Sequence, residues 1–89
     1  MEPTSTAEPV PSTGLSDEAI TEALAGSGDH IAQFFSFAHL PARLANVSRP
    51  FARLAAEVAL CIPRNPERTV ALRKLLETKD AAVRAYLAK

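Results

Sequence analysis

A single cysteine, Cys61, stands among 89 residues, so neither an intrachain disulfide nor a cysteine-based zinc site can be built. It falls on an apolar stripe without a basic or thiol neighbour, and is expected to act as a small buried hydrophobe. No apolar run approaches the roughly 18 residues that would cross a bilayer. Met1-Glu2-Pro3-Thr4 opens without a basic or apolar stretch, so no leader is expected and the cytoplasm is the expected compartment. Only two histidines occur, His30 and His39, and neither has carboxylate or thiolate companions at metal spacing. No Ser–His–Asp pattern or serine elbow is present, and nothing else in the sequence supports catalysis. Gly26-Ser27-Gly28-Asp29 has neither a preceding strand nor a following Gly-Lys-Ser/Thr, so it reads as a flexible linker rather than a phosphate loop. No cofactor is implied.

Basic residues are missing from one part of the chain altogether. Residues 1–29 hold six acids and no Lys or Arg, whereas residues 30–89 hold ten Lys/Arg against four acids. The zero net charge therefore conceals −6 followed by +6. A basic region in which arginine outnumbers lysine attracts anions and suits forked recognition of phosphate. The acidic segment could shield that region until a partner displaces it.

With 47% apolar residues the chain suits one small globular domain. The division expected is an acidic, mostly disordered tail over 1–30, with a short helix at 16–25, and a helical domain over 31–89. Residues 1–14 are rich in Pro, Ser and Thr. Ser16 can cap the short helix, Leu15 and Ile20 can form a hydrophobic staple, and Gly26 can end it. Phe35, Phe37 and His39 alternate before Pro41, which predicts a short extended segment with one aromatic face.

Two longer helices follow. Leu44, Val47, Phe51, Leu54, Val58 and Cys61 recur at alternating spacings of three and four, the pattern of a packing seam. Either Ser48 caps a new helix with Pro50 in its opening turn, or a longer helix from about Pro41 kinks there. The seam keeps its phase across Pro50, which favours the kinked helix, ending near Ile62. The second helix has a heavily marked start: Asn65 as N-cap, Pro66 in the first turn, and Glu67 at the positive end of the dipole. It should run over about 66–87 with Leu72, Leu76, Val83 and Tyr86 as its seam. Lys79 falls in that seam and needs a partner there. The fold class expected is mainly α: an antiparallel helical hairpin preceded by the short aromatic extended segment. So few residues rarely bury enough apolar surface alone, so a homo-oligomer is expected.

The residues that could carry function are positively charged. Arg64, Arg68 and Thr69 cluster beside a helix N-terminus, where free amides and the dipole favour phosphate. Arg68 is read as an exposed first-turn residue whose loss would spare the fold. Arg49 and Arg53 lie four apart on the first long helix, and Phe37 or Phe35 offers a ring for stacking. Arginine, an aromatic ring and amide donors together suit a nucleotide. Duplex or single-strand binding is less favoured, because the arginines are scattered over both helices.

Over Pro63, Glu67-Arg68-Thr69 and Ala71-Leu72-Arg73-Lys74-Leu75-Leu76-Glu77 the sequence resembles the hairpin domain of phage anti-CBASS and anti-Thoeris proteins. Phe35-Ser36-Phe37 matches the aromatic segment of that family, and the resemblance covers roughly residues 34–86. It implies a bundle of hairpins, a hexamer, that sequesters cyclic di- or trinucleotide immune signals at subunit interfaces in the bacterial host. The base-stacking aromatic would fall on Phe37, the basic residue of the first helix on Arg49 or Arg53, and the phosphate contacts on Arg68 and Thr69. The alternative is a small oligomeric interaction module without a small-molecule ligand, or a nucleic-acid-binding accessory protein.

Overall fold

The computed structural model describes residues 14–88, and these form helices and no strands. The disorder expected over residues 1–14 falls almost wholly outside that range. Among the described residues the elements in chain order are α1 (Asp17–Ala25), a 3-10 helix (His30–Phe35), α2 (Ala42–Cys61) and α3 (Pro66–Leu87).

α1 begins where its local chemistry dictates. The Ser16 hydroxyl accepts the Ala19 amide at 3.1 Å, with Asp17 and Glu18 in the first turn at the positive end of the dipole. Ile20 and Leu24, one turn apart, are buried, and Leu15 packs against the same cluster. A nine-residue helix is marginal by itself, and this docking is what stabilises it. The acidic segment thus supplies part of the core, and a boundary at residue 30 would cut through that core.

The aromatic segment is not extended. His30–Phe35 winds into a 3-10 helix whose Ala32 and Phe35 are buried, and Phe37 follows into the core. Its carbonyl at Phe34 accepts the Lys79 ammonium at 3.0 Å, which gives that seam lysine its partner. Phe35 and Phe37 are buried on a coiled chain, whereas Phe34 projects outward, half exposed. Alternation in sequence therefore mimicked a strand while the backbone found its hydrogen bonds locally.

α2 runs through Pro50 as one helix that starts at Ala42, not as a new helix capped by Ser48. Its buried face, however, is Ala45, Ser48, Ala52, Ala55 and Ala56, not the expected seam. Leu44, Val47, Phe51 and Val58 are half-buried, and Leu54 and Cys61 are exposed. The correction has a steric cause. Alanines let α1, α3 and the 3-10 helix approach closely, and the large side chains Ile20, Phe35 and Leu72 fill the space opposite. α3 is capped as its sequence required: the Asn65 side-chain oxygen accepts the Arg68 amide at 2.8 Å, with Pro66 at the first position. Only Arg68 and Leu72 of α3 are buried, and towards its end Tyr86 and Leu87 stand about half exposed. Among the described residues no helix is long and apolar enough to cross a membrane.

Candidate functional site

Two arginine–aspartate pairs, one buried and one at the surface, each join the acidic segment to a basic helix. The first lies where α3 begins. Arg68 projects from the first turn of α3 into the interior, 4% exposed. Its Nε and Nη2 donate to Asp29 Oδ2 at 3.1 and 2.7 Å. Nη2 also donates to the Ser27 carbonyl at 2.7 Å, and Nη1 donates to the Ala59 and Ile62 carbonyls at 3.1 and 2.9 Å. A guanidinium has five N–H donors, and every one has an acceptor here. Thr69 donates its hydroxyl to Asp29 Oδ1 at 2.9 Å, so both carboxylate oxygens are engaged.

This node corrects the reading of Arg68 as an exposed phosphate contact. Its donors tie the Ser27–Asp29 turn, the end of α2 and the start of α3 into one joint. The supposed flexible linker is accordingly pinned: Ser27 Oγ donates to the Leu24 carbonyl and accepts the Asp29 amide. Gly28 takes φ +82°, a conformation that favours glycine, and the Arg64 side chain lies against the space its Cβ would occupy, 3.2 Å away. Burial alone would raise the Asp29 pKa, but the Thr69 hydroxyl, the Arg68 guanidinium and the nearby Arg64 charge together hold it below the usual carboxylate value. Arg64 itself is exposed.

The second pair lies where α1 crosses α2. Arg49 Nε donates to Asp17 Oδ1 at 3.1 Å, and Nη1 donates to the Asn46 side-chain oxygen at 2.7 Å. The guanidinium carbon sits 5.2 Å from the centroid of the Phe37 ring, a cation–π contact. The side chains of Arg49 and Asp17 are 29% and 51% exposed. Unlike Arg68, Arg49 has donors that no acceptor among the described residues engages. Phe37 is 4% exposed, so a base could not stack on it while Arg49 lies over it.

Phe37 also lines a groove of about 540 Å³ between α1 and the 3-10 helix. Leu24 and Ala32 line its apolar part, and Thr21, His30 and Gln33 its polar part. Arg53, half-buried one turn along from Arg49, has its Nε enclosed without an acceptor, and Glu57 Oε2 is likewise enclosed without a donor.

The six candidate residues therefore separate. Arg64, Arg68 and Thr69 gather around Asp29; Phe37 and Arg49 meet beside Asp17; Arg53 joins neither group. The acids were not picked out from the sequence as site residues. A usable signal existed, since −6 followed by +6 invites pairing across the boundary, but it does not specify which acid meets which arginine. Among the described residues no three His, Cys, Asp or Glu side chains come together to hold a metal ion. Comparison with protein-family models, with curated proteins and with solved structures found no match.

Proposed function

We propose that this protein is a non-catalytic binder that sequesters a cyclic di- or trinucleotide in the bacterial cytoplasm, working as a homo-oligomer of helical hairpins formed by α2 and α3. The observation that carries the reading is Arg49, partly exposed over the Phe37 ring and with unengaged donors, where Phe37 also lines a groove. Charge for phosphate is held in place there by the Phe37 ring, and the groove that Phe37 lines offers the apolar surface of Leu24 and Ala32 to a base. The resemblance of residues 34–86 to phage anti-defence sponges agrees with it. Arg53 and Arg64 remain candidates for further phosphate contacts, while Arg68 and Thr69 serve by holding the turn that leads into the aromatic segment.

Self-association is supported by the apolar surface left outside the core. Leu54, Leu60, Ile62 and Val70 are between 43% and 61% exposed, and Tyr86 and Leu87 are about half exposed. Covering such a surface is favourable by roughly 25 cal/mol per Å² of apolar area. The same surface favours the second reading, an oligomeric interaction module with no small-molecule ligand.

A thermal-shift panel of cyclic di- and trinucleotides separates the two. A ligand at 100 times its Kd stabilises the folded state by about 2.7 kcal/mol, which raises the Tm of so small a domain by roughly 10 °C or more. Recovery of intact nucleotide after denaturing the complex then distinguishes sequestration from cleavage. A flat response across the panel would leave the interaction module as the better account.

A further inference from the structure

The acidic segment touches the proposed site through one side chain. Asp17 stands in the first turn of α1 and accepts from Arg49 Nε, the nitrogen that an incoming anion would otherwise engage. The contact is open to solvent on both sides, with Asp17 half exposed. It is not needed to satisfy Asp17, which also faces the positive end of its own helix dipole. Asn46 holds Nη1 from the same helix as Arg49, so the guanidinium stays over Phe37 even when Asp17 lets go.

We propose that Asp17 is an internal competitor for Arg49: a carboxylate built into α1 that occupies the guanidinium in the free protein and sets a charge threshold for anions entering the site. This rests on the functional reading above and deepens it. An exposed pair of this kind is a weak opponent, equivalent to no more than about a fivefold change in affinity. A ligand must still displace or share it, and Glu18 and Glu22 on the same helix as Asp17 carry charge of the same sign. Every phosphate that reaches Arg49 meets the same carboxylate, so the pair lowers affinity by that factor for a cyclic nucleotide and for inorganic phosphate alike.

Calorimetric titration of wild type, Asp17→Asn, Arg49→Ala and the double variant tests this. The probes are cyclic di-AMP, cyclic tri-AMP and inorganic phosphate. At about 50 mM salt Asp17→Asn should bind the cyclic nucleotide about two- to fivefold more tightly than wild type, and the gain should shrink towards unity at about 500 mM as screening removes it. Binding of inorganic phosphate, weak or undetected in wild type, should rise by at least the same factor. In the Arg49→Ala background the Asp17→Asn gain should disappear. Wild type that binds while Asp17→Asn binds no more tightly overturns the competitor and leaves the functional reading intact. A gain that persists without Arg49 also overturns it, since the effect would then be general charge. If no variant binds any cyclic nucleotide, the functional reading falls and the competitor with it.

Discussion

Asp29–Arg68 and Asp17–Arg49 are the same chemical pair in two settings, and the setting decides what each can do. Arg68 is sealed in the interior with all five donors engaged, three of them on main-chain carbonyls. Arg49 lies at the surface with one carboxylate, one side-chain amide and one aromatic face for company. A buried charge must be fully satisfied or it destabilises the fold, whereas an exposed one can exchange partners at little cost. Saturation makes Arg68 a structural joint. Incomplete saturation makes Arg49 available.

The largest expected effect comes from breaking the buried node. Arg68→Ala leaves Asp29 without its main counter-charge and three carbonyls without donors, and should lower unfolding free energy by about 3–5 kcal/mol in urea titrations. A loss below about 1 kcal/mol would mean that the interior joint does not exist in solution.

Acid offers a second way to weaken the same node without mutation. The Asp29 pKa is depressed in the folded state, so its contribution to stability is fully present above the unfolded value of about 3.9. That contribution is lost as pH falls through the folded-state pKa. Urea midpoints of wild type and Asp29→Asn should therefore differ at pH 7 and converge in the acid range below pH 4. A gap that stays constant with pH would contradict the assignment to this carboxylate.

A smaller effect is expected at Gly28. An alanine there must hold φ near +82° and push against Arg64, which together should cost about 1–2 kcal/mol. Because the Arg64 side chain can swing away, most of the loss should remain in an Arg64→Ala background. Circular-dichroism melts of the two single variants and the double variant measure that cycle.

The helix starts were legible in the sequence because their causes are local. Ser16, Asn65 and Pro66 act within one turn, and each does in the structure what its position predicted. Lys79 was legible as an anomaly, although its acceptor, a carbonyl 45 residues earlier, was not. The packing face of α2 is harder to read because Leu54 and Cys61, which are exposed, fit a hydrophobic seam better than Ala52, Ala55 and Ala56, which are buried. Phe51 and Val58 do pack against the core. Alanine reports only that something large can come close, not what does. Arg68 was misread for a related reason: its acceptors are main-chain carbonyls at Ser27, Ala59 and Ile62 and a carboxylate at Asp29, and carbonyls leave no mark in a sequence. Arg49 and Phe37 are each legible as candidates, though their contact is not, and Asp17 is legible only as a charge in the first turn of a capped helix.

The contrast between the two pairs is tested most directly by one set of denaturation curves at neutral pH, comparing Asp29→Asn and Asp17→Asn with wild type. Asp29→Asn should lower the unfolding free energy by several kcal/mol, and Asp17→Asn should stay within about 1 kcal/mol of wild type. Equal losses, or a larger loss at Asp17, would contradict the division of labour between a sealed joint and an exchangeable surface pair.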